Sequence, residues 1–286
     1  MLLACALTAL SATAQETTTA PTTTKPLAPI PLGDFLLSLP TSHIPAAGAW
    51  EVRFTHRFNQ SLDQGSGSDR IHSLFGLDSN ADVAIGGSYT FHPRAEVSVL
   101  RSNALDDIEG AVKYLVMQEA SAIPFSLALR GGADFRTERE LEDRMSFFAQ
   151  AIVSKQIAGH FEVYAVPTFA TKAGRAIPST TTSTASQALF DHAFNIPVGV
   201  AVNVRDGLSV VGELIPVNSD LPDNVDAELG WAIGLKRAIG LHYFEVLITN
   251  SNATHVDQYV TSTYMGSPLR RGDLHLGFNI ERRFGK

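Results

Sequence analysis

Residues 191–204, DHAFNIPVGVAVNV, carry the most regular pattern in the chain. His192, Phe194, Ile196, Val198, Val200, Val202 and Val204 alternate with Ala193, Asn195, Pro197, Gly199, Ala201 and Asn203. Successive side chains of a strand point to opposite faces, so seven apolar or aromatic positions in register describe a strand with one apolar face. The same alternation recurs on either side. Trp50, Val52, Phe54 and Phe58 alternate with Glu51, Arg53, Thr55 and Arg57, and Leu274, Leu276, Phe278, Ile280 and Phe284 alternate with Asp273, His275, Gly277, Asn279, Glu281 and Arg283. Weaker versions cover 81–91, 95–102, 108–117, 125–132, 146–156, 160–170, 208–216, 227–236 and 241–250, so that twelve strands are predicted.

The connections sort into two kinds. Links 92–94, 157–159, 205–207 and 237–240 are short and follow even-numbered strands, with 118–124 slightly longer. Links 60–80, 133–145, 171–190, 217–226 and 251–272 are long and follow odd-numbered strands; only 103–107 is short there. Alternating turns and loops mark an outer-membrane barrel, with short periplasmic turns and long external loops. An even strand number puts both termini in the periplasm. The expected fold is therefore all-β, a transmembrane antiparallel up-and-down β-barrel of about 12 strands over residues 49–286. A soluble β-sandwich also alternates. Against it, the apolar face is nearly free of charge except near strand ends (Arg101, Lys155, Arg282), and the opposite face is polar on nearly every strand.

Composition agrees. The 286 residues include 22 Lys+Arg against 29 Asp+Glu, a net charge of -7, with no basic run. That balance excludes a nucleic-acid partner, which needs a clustered basic face. A single cysteine, Cys5, excludes a disulfide framework and any Cys-built metal or haem site. Residues 1–14 are small and apolar, ending Ala12-Thr13-Ala14, and read as a signal peptide; Leu2-Leu3-Ala4-Cys5 also fits a lipoprotein box but lacks a hydrophobic run ahead of it. Residues 15–48 read as a Thr/Pro-rich periplasmic linker and lead-in.

Three groups of residues carry a family resemblance. They are Leu39-Pro40-Thr41 running to Trp50 with Thr55-His56-Arg57-Phe58, then Ser73-Leu74-Phe75-Gly76-Leu77-Asp78, and last 247–251 (LITNS) with the closing 277–284 (GFNIERRF). With these the chain resembles a family of bacterial outer-membrane β-barrel proteins known as a membrane-bound barrel domain of unknown function. The resemblance implies a fold and an outer-membrane location, and brings no catalytic residues with it. One departure is that Gly285-Lys286 follow Phe284, where barrel proteins often end on the aromatic residue that the assembly machinery reads.

If the apolar face meets lipid, the other face lines the lumen. Its predicted lining includes Glu51, Arg53, Arg57, Glu109, Lys113, Arg130, Glu162, Glu213, Glu228, Lys236, Glu245, Asp273 and His275. Mixed signs on neighbouring strands suggest ion-paired ladders. Twelve strands spaced ~4.8 Å and tilted ~40° give a backbone diameter of about 24 Å and a free bore of about 10 Å or less. Small inward residues such as Gly199, Ala201, Gly230 and Gly234 leave room for it. These features lead to a narrow porin-like channel for ions or small polar solutes, in which Arg53 and Arg57 set selectivity. The alternative is a closed structural or partner-docking barrel, engaging a periplasmic partner through its N-terminal segment. Lipid and the barrel assembly machinery are the other expected partners.

No cofactor is expected, and no enzyme, since no catalytic constellation emerges. His72-Ser73 are adjacent in a loop where side chains diverge, His56, His192 and His242 fall on the lipid-facing register, and His275 shares a face with Asp273. Leu74 and Phe75 are candidates for a constriction, and 180–186 for a solvated loop tip. The sequon at Asn252-Ala253-Thr254 is taken as coincidence in a bacterial protein.

Overall fold

The computed structural model describes residues 32–62, 65–72, 77, 79–137, 144–174, 190–217, 227–261, 263–264 and 274–285. Among these, twelve antiparallel strands close into a barrel. In chain order they are β1 (Trp50–Phe58), β2 (Ala81–His92), β3 (Ala95–Ser102), β4 (Asp107–Met117), β5 (Ser126–Arg136) and β6 (Met145–Ile157). There follow β7 (Phe161–Ala165, continuing as Thr168–Ala173), β8 (Phe190–Asn195, continuing as Val198–Arg205), β9 (Leu208–Ile215), β10 (Gly230–Ile239), β11 (His242–Thr249) and β12 (His275–Phe284). Each strand pairs with the next, and β1 closes the ring on β12 with Trp50 opposite Phe284 and Arg57 opposite Gly277.

Strands β7 and β8 are interrupted side by side, at Val166-Pro167 and Ile196-Pro197. Proline has no N–H to give a ladder. The neighbours bridge the gap instead: Ala151 N–H donates to the Pro167 carbonyl (3.0 Å) and Val166 N–H to that of Pro197 (2.8 Å). The predicted strand 227–236 is shifted. Its barrel part begins at Gly230, because the Asn250 side chain takes the Leu229 carbonyl (2.8 Å) and the Trp231 N–H (2.8 Å). Ala227–Glu228 instead pairs with Thr263–Tyr264 as a separate two-stranded piece.

The outer surface is apolar, with Trp50 57% and Val246 58% exposed, while Glu51, Arg53, Thr55 and Arg57 on the same strand as Trp50 are buried. Apolar outside and polar inside is the arrangement of a lipid-embedded barrel. At the short-turn end, Trp50 and Tyr89 pair at 4.4 Å between ring centroids, as in an aromatic girdle. His56 lies outward against Phe278 (4.9 Å), His192 near Phe169 (6.0 Å) and His242 near Phe244 (6.0 Å).

The lumen is filled from both mouths. From the short-turn end a hairpin enters: Phe35 bridges Pro40, Leu36 N–H donates to Leu39 O (2.8 Å) and Thr41 N–H to Asp34 O (2.8 Å). Of the predicted linker and lead-in, residues 32–45 are thus mostly buried inside the barrel, 46–48 are exposed, and 15–31 lies outside the described residues. Leu32, Phe35, Leu36, Leu37 and Leu39 must hide from water, and all four leucines are fully buried. Their room comes from the small inward residues. A Cβ on Gly199 would lie 2.3 Å from Leu36 Cδ1, and one on Gly234 3.0 Å from Leu37 Cδ2. The space read as a bore is occupied. Gly199→Val is therefore expected to unseat the hairpin tip, at an overpacking cost of ~1–3 kcal/mol, while the barrel still closes. Limited proteolysis within 32–44, beside a heat-modifiable gel shift, checks this; unchanged protection would refute the packing argument.

From the long-loop end, residues 250–261 turn inward and carry a short helix, α1 (Val256–Tyr259), all four residues of which are buried. The two inserts join one apolar cluster inside the barrel, in which Leu36, Leu37 and Leu39 share a core with Phe148, Ile152, Val256, Tyr259 and Val260. The loop expected to form a constriction, at Leu74 and Phe75, lies outside the described residues, as do 1–14 and 180–186.

Candidate functional site

The wall grips the hairpin by its backbone. On β9, Glu213 Oε1 accepts the N–H groups of Leu37 (2.8 Å), Ser38 (2.8 Å) and Leu39 (2.9 Å). Three amides converging on one carboxylate oxygen form an anion nest, here with the anion supplied by the wall. The carbonyls meet cations: Lys236 Nζ donates to Phe35 O (2.7 Å), Arg53 to Leu37 O (2.6 Å) and Asn279 to Leu37 O (2.9 Å). Arg53 also lies over the Phe35 ring at 3.9 Å. Nearer the short-turn mouth, Ser88 donates to Asp34 (2.7 Å), Ser42 pairs with Ser154 (2.7 Å) and His43 with Glu162 (3.0 Å).

Most of the predicted lining charges face one another across strands. Arg53 pairs with Glu281 (2.5 Å), Lys236 with Glu245 (2.5 Å) and Glu281 (3.4 Å), Lys113 with Glu96 (2.9 Å), Arg283 with Glu51 (2.9 Å) and Arg130 with Glu109. Arg57 donates to Asn279 (2.7 Å), and His275 Nδ1 lies 2.9 Å from Phe58 O. One position differs from expectation: Glu228 belongs to the two-stranded loop piece, because the inward alternation of β10 starts only at Gly230. Asp273 lies outside the described residues.

The second insert is held from the other side. Arg136 pairs with Asp257, Gln258 donates to Asp107 (3.2 Å), Val256 N–H donates to Glu109 (3.0 Å) and Gln150 donates to Tyr259 OH (2.8 Å). Burial raises the Tyr259 phenol above its ordinary range, so it stays neutral. Arg130 links the inserts, bound to Glu109 below α1 and 6.0 Å from the Phe35 ring of the hairpin. Sequence reasoning missed Asp34, Asp107, Asp134, Arg136 and Asp257, because the lumen was read as lined rather than filled. A void lined by Phe35, Arg53, Ser88, Leu100, Glu109 and Arg130 measures about 20 Å³, room for about one water. A cavity of about 110 Å³ opens at the short-turn mouth beside His43, Glu119 and Glu162.

Several solved outer-membrane proteins align with the chain at low identity. The NanC porin superposes with a TM-score of 0.48 at 11% identity, covering 83% of this chain and 100% of that one. The Acinetobacter baumannii outer membrane protein Omp33 gives 0.41 at 12% identity, covering 83% and 98%. Outer membrane phospholipase A from Escherichia coli gives 0.40 at 7% identity, covering 82% and 90%. With an enzyme among these barrels, the expectation that the chain is not an enzyme is withdrawn: it had rested on finding no catalytic group in a porin-like barrel, and such a barrel is no ground for excluding catalysis. No curated protein matches the chain. The sequence profile of a family described as a membrane bound beta barrel domain, DUF5777, matches residues 33–284, from the hairpin to the end of β12. The apolar outer wall, the closed ring of twelve strands and this match together make the chain a bacterial outer-membrane barrel that belongs to the DUF5777 family.

Proposed function

We propose that the chain is a plugged outer-membrane channel: closed in the state described here, and permeable to ions or small polar solutes once the hairpin 32–44 withdraws toward the periplasm. The carrying observation is the seat of Leu37, whose N–H and carbonyl are held by Glu213, Arg53 and Asn279 of the wall. Polar contacts of this kind are replaced by water when a segment leaves, so the hairpin can exchange between lumen and periplasm without unfolding the barrel. Both hairpin ends lie on the short-turn side, where Asp34 meets Ser88 and Ser42 meets Ser154. A periplasmic partner acting on the N-terminal segment would pull in that direction. Arg53→Ala and Arg57→Ala, expected from sequence to alter selectivity alone, then also loosen the hairpin, since both guanidiniums reach Leu37 O.

Single-channel recording in planar bilayers tests the reading, with a heat-modifiable gel shift confirming folding. Residues 15–286 are expected to be nearly silent. A variant lacking 32–44, alone or with 252–260 replaced by a Gly/Ser linker, is expected to give discrete conductance steps. Folded but silent barrels in both variants would overturn the channel and favour a closed, partner-docking barrel.

A further inference from the structure

Asp107 at the start of β4, Asp134 near the end of β5 and Asp257 on α1 are all buried, and one carboxylate oxygen from each lies within 4.8 Å of the others. Asp107 and Asp134 are diagonal neighbours on the inward face, since Asp107 opposes Arg136 and Glu109 opposes Asp134. Like charges placed so repel one another. The local count sharpens the problem. Among the described residues, four carboxylates (Asp107, Glu109, Asp134, Asp257) face two guanidiniums, Arg130, which takes Glu109, and Arg136, which takes Asp257. Within that set two negative charges are left over in a buried site.

Hydrogen bonding points the same way. Among the described residues no donor reaches either buried oxygen of Asp134, nor Oδ1 of Asp107 or Oδ1 of Asp257. The hydroxyl on the residue opposite Asp134, Ser146, turns away to the Thr171 carbonyl. Meanwhile the other oxygens of the two flanking carboxylates are pinned, Asp107 Oδ2 by Gln258 (3.2 Å) and Asp257 Oδ2 by Arg136. Pinning one oxygen while the other points inward is how an outer layer of contacts orients metal ligands.

We propose that Asp107, Asp134 and Asp257 bind one hard divalent cation, with calcium as the favoured ion. Its charge cancels the excess, and its preference is for oxygen donors at about 2.3–2.6 Å, which puts opposed ligands up to about 5 Å apart. Four carboxylate oxygens supply part of the shell and water the remainder. Because Asp257 sits on the inward loop and the other two on the wall, the ion fastens the loop 250–261 across the long-loop mouth. Binding does not depend on whether the barrel conducts. No metal-ligand spacing announces the site, since its donors come from two strands and a distant loop.

The test uses EDTA-stripped residues 15–286 in detergent micelles, titrated calorimetrically with CaCl₂ and separately with MgCl₂. One calcium per chain is expected, with a higher midpoint of thermal unfolding in calcium than in EDTA. Asp134→Asn keeps the shape and removes a central donor charge; it should abolish the site and make unfolding indifferent to EDTA. Gln258→Leu should weaken binding by about tenfold or more. Asp69→Asn, on the exposed short helix Gly67–His72, should bind like the parent. A heat-modifiable gel shift confirms that each variant is folded. Binding that survives Asp134→Asn would overturn the proposal in favour of adventitious surface carboxylates. A parent that binds neither cation and gains stability only on acidification would overturn it in favour of shared protons.

Discussion

Glu213→Leu is expected to release the hairpin from the lumen while leaving the barrel folded. Leucine has nearly the volume of glutamate, so no large cavity forms, but the amides of Leu37, Ser38 and Leu39 lose their common acceptor. A buried amide left without a partner costs ~1–3 kcal/mol. Even at the low end, three of them disfavour the seated hairpin by about 3 kcal/mol, a shift of roughly a hundredfold in the ratio of seated to withdrawn. The strands lose nothing comparable, because a withdrawn hairpin recovers its hydrogen bonds from water. Protease cutting within 32–44 should accelerate by that order, and conductance events should become frequent in planar bilayers. Glu213→Gln keeps an acceptor oxygen but not its charge and should show a milder form of both effects. Full protection and electrical silence in Glu213→Leu would mean that the leucines alone hold the hairpin.

The wall of this barrel was legible from sequence because its physics is local. Lipid on one side and polar contents on the other impose a period of two within each strand, so Trp50, Val52 and Phe54 could be set against Glu51, Arg53 and Thr55 without knowing any partner. Even Pro197, in the midst of the clearest run, left the alternation intact, since the break costs a hydrogen bond and not the register. What fills the wall was not legible in the same way. Leu37 finds its partners at Glu213 and Asn279, 176 and 242 residues away, and nothing in either neighbourhood names the other. The one available signal was composition: residues 32–39 (LGDFLLSL) are too apolar to be a continuation of the Thr/Pro tail, and an apolar stretch between a polar tail and a barrel must be buried somewhere. Glu228 failed for a different reason. Its alternation runs smoothly into Gly230, Ala232 and Gly234, and only Asn250, across the pair, marks where the barrel strand starts. Lys236 and Glu245 both face inward and pair with each other, but that Lys236 also holds the hairpin at Phe35 O depends on what stands opposite it, which alternation does not reveal.

Lys236→Met tests that work at its most costly point. The ammonium is fully buried between Glu245 (2.5 Å) and Glu281 (3.4 Å), and it also donates to the Phe35 carbonyl (2.7 Å). Methionine fills the same length but leaves two carboxylates facing each other in the interior, with Arg53 on Glu281 as the remaining cation partner. Removing one member of a buried ion pair costs ~3–5 kcal/mol, mostly because the other charge is stranded. Here the loss has two outlets, either unfolding of the barrel or expulsion of the hairpin so that water reaches Glu245 and Glu281. The strands form a closed ring, whereas both hairpin ends leave on the short-turn side, one of them running on into β1, so expulsion is the cheaper outlet. The expected result is therefore a barrel that still shows its heat-modifiable shift, is cut rapidly within 32–44, and unfolds at lower urea. Lys236→Met combined with Glu281→Gln should restore much of the protection, because one stranded charge is gone. A single variant as protected as the parent, or a double variant no better than the single one, would show that these carboxylates are not what the lysine neutralises.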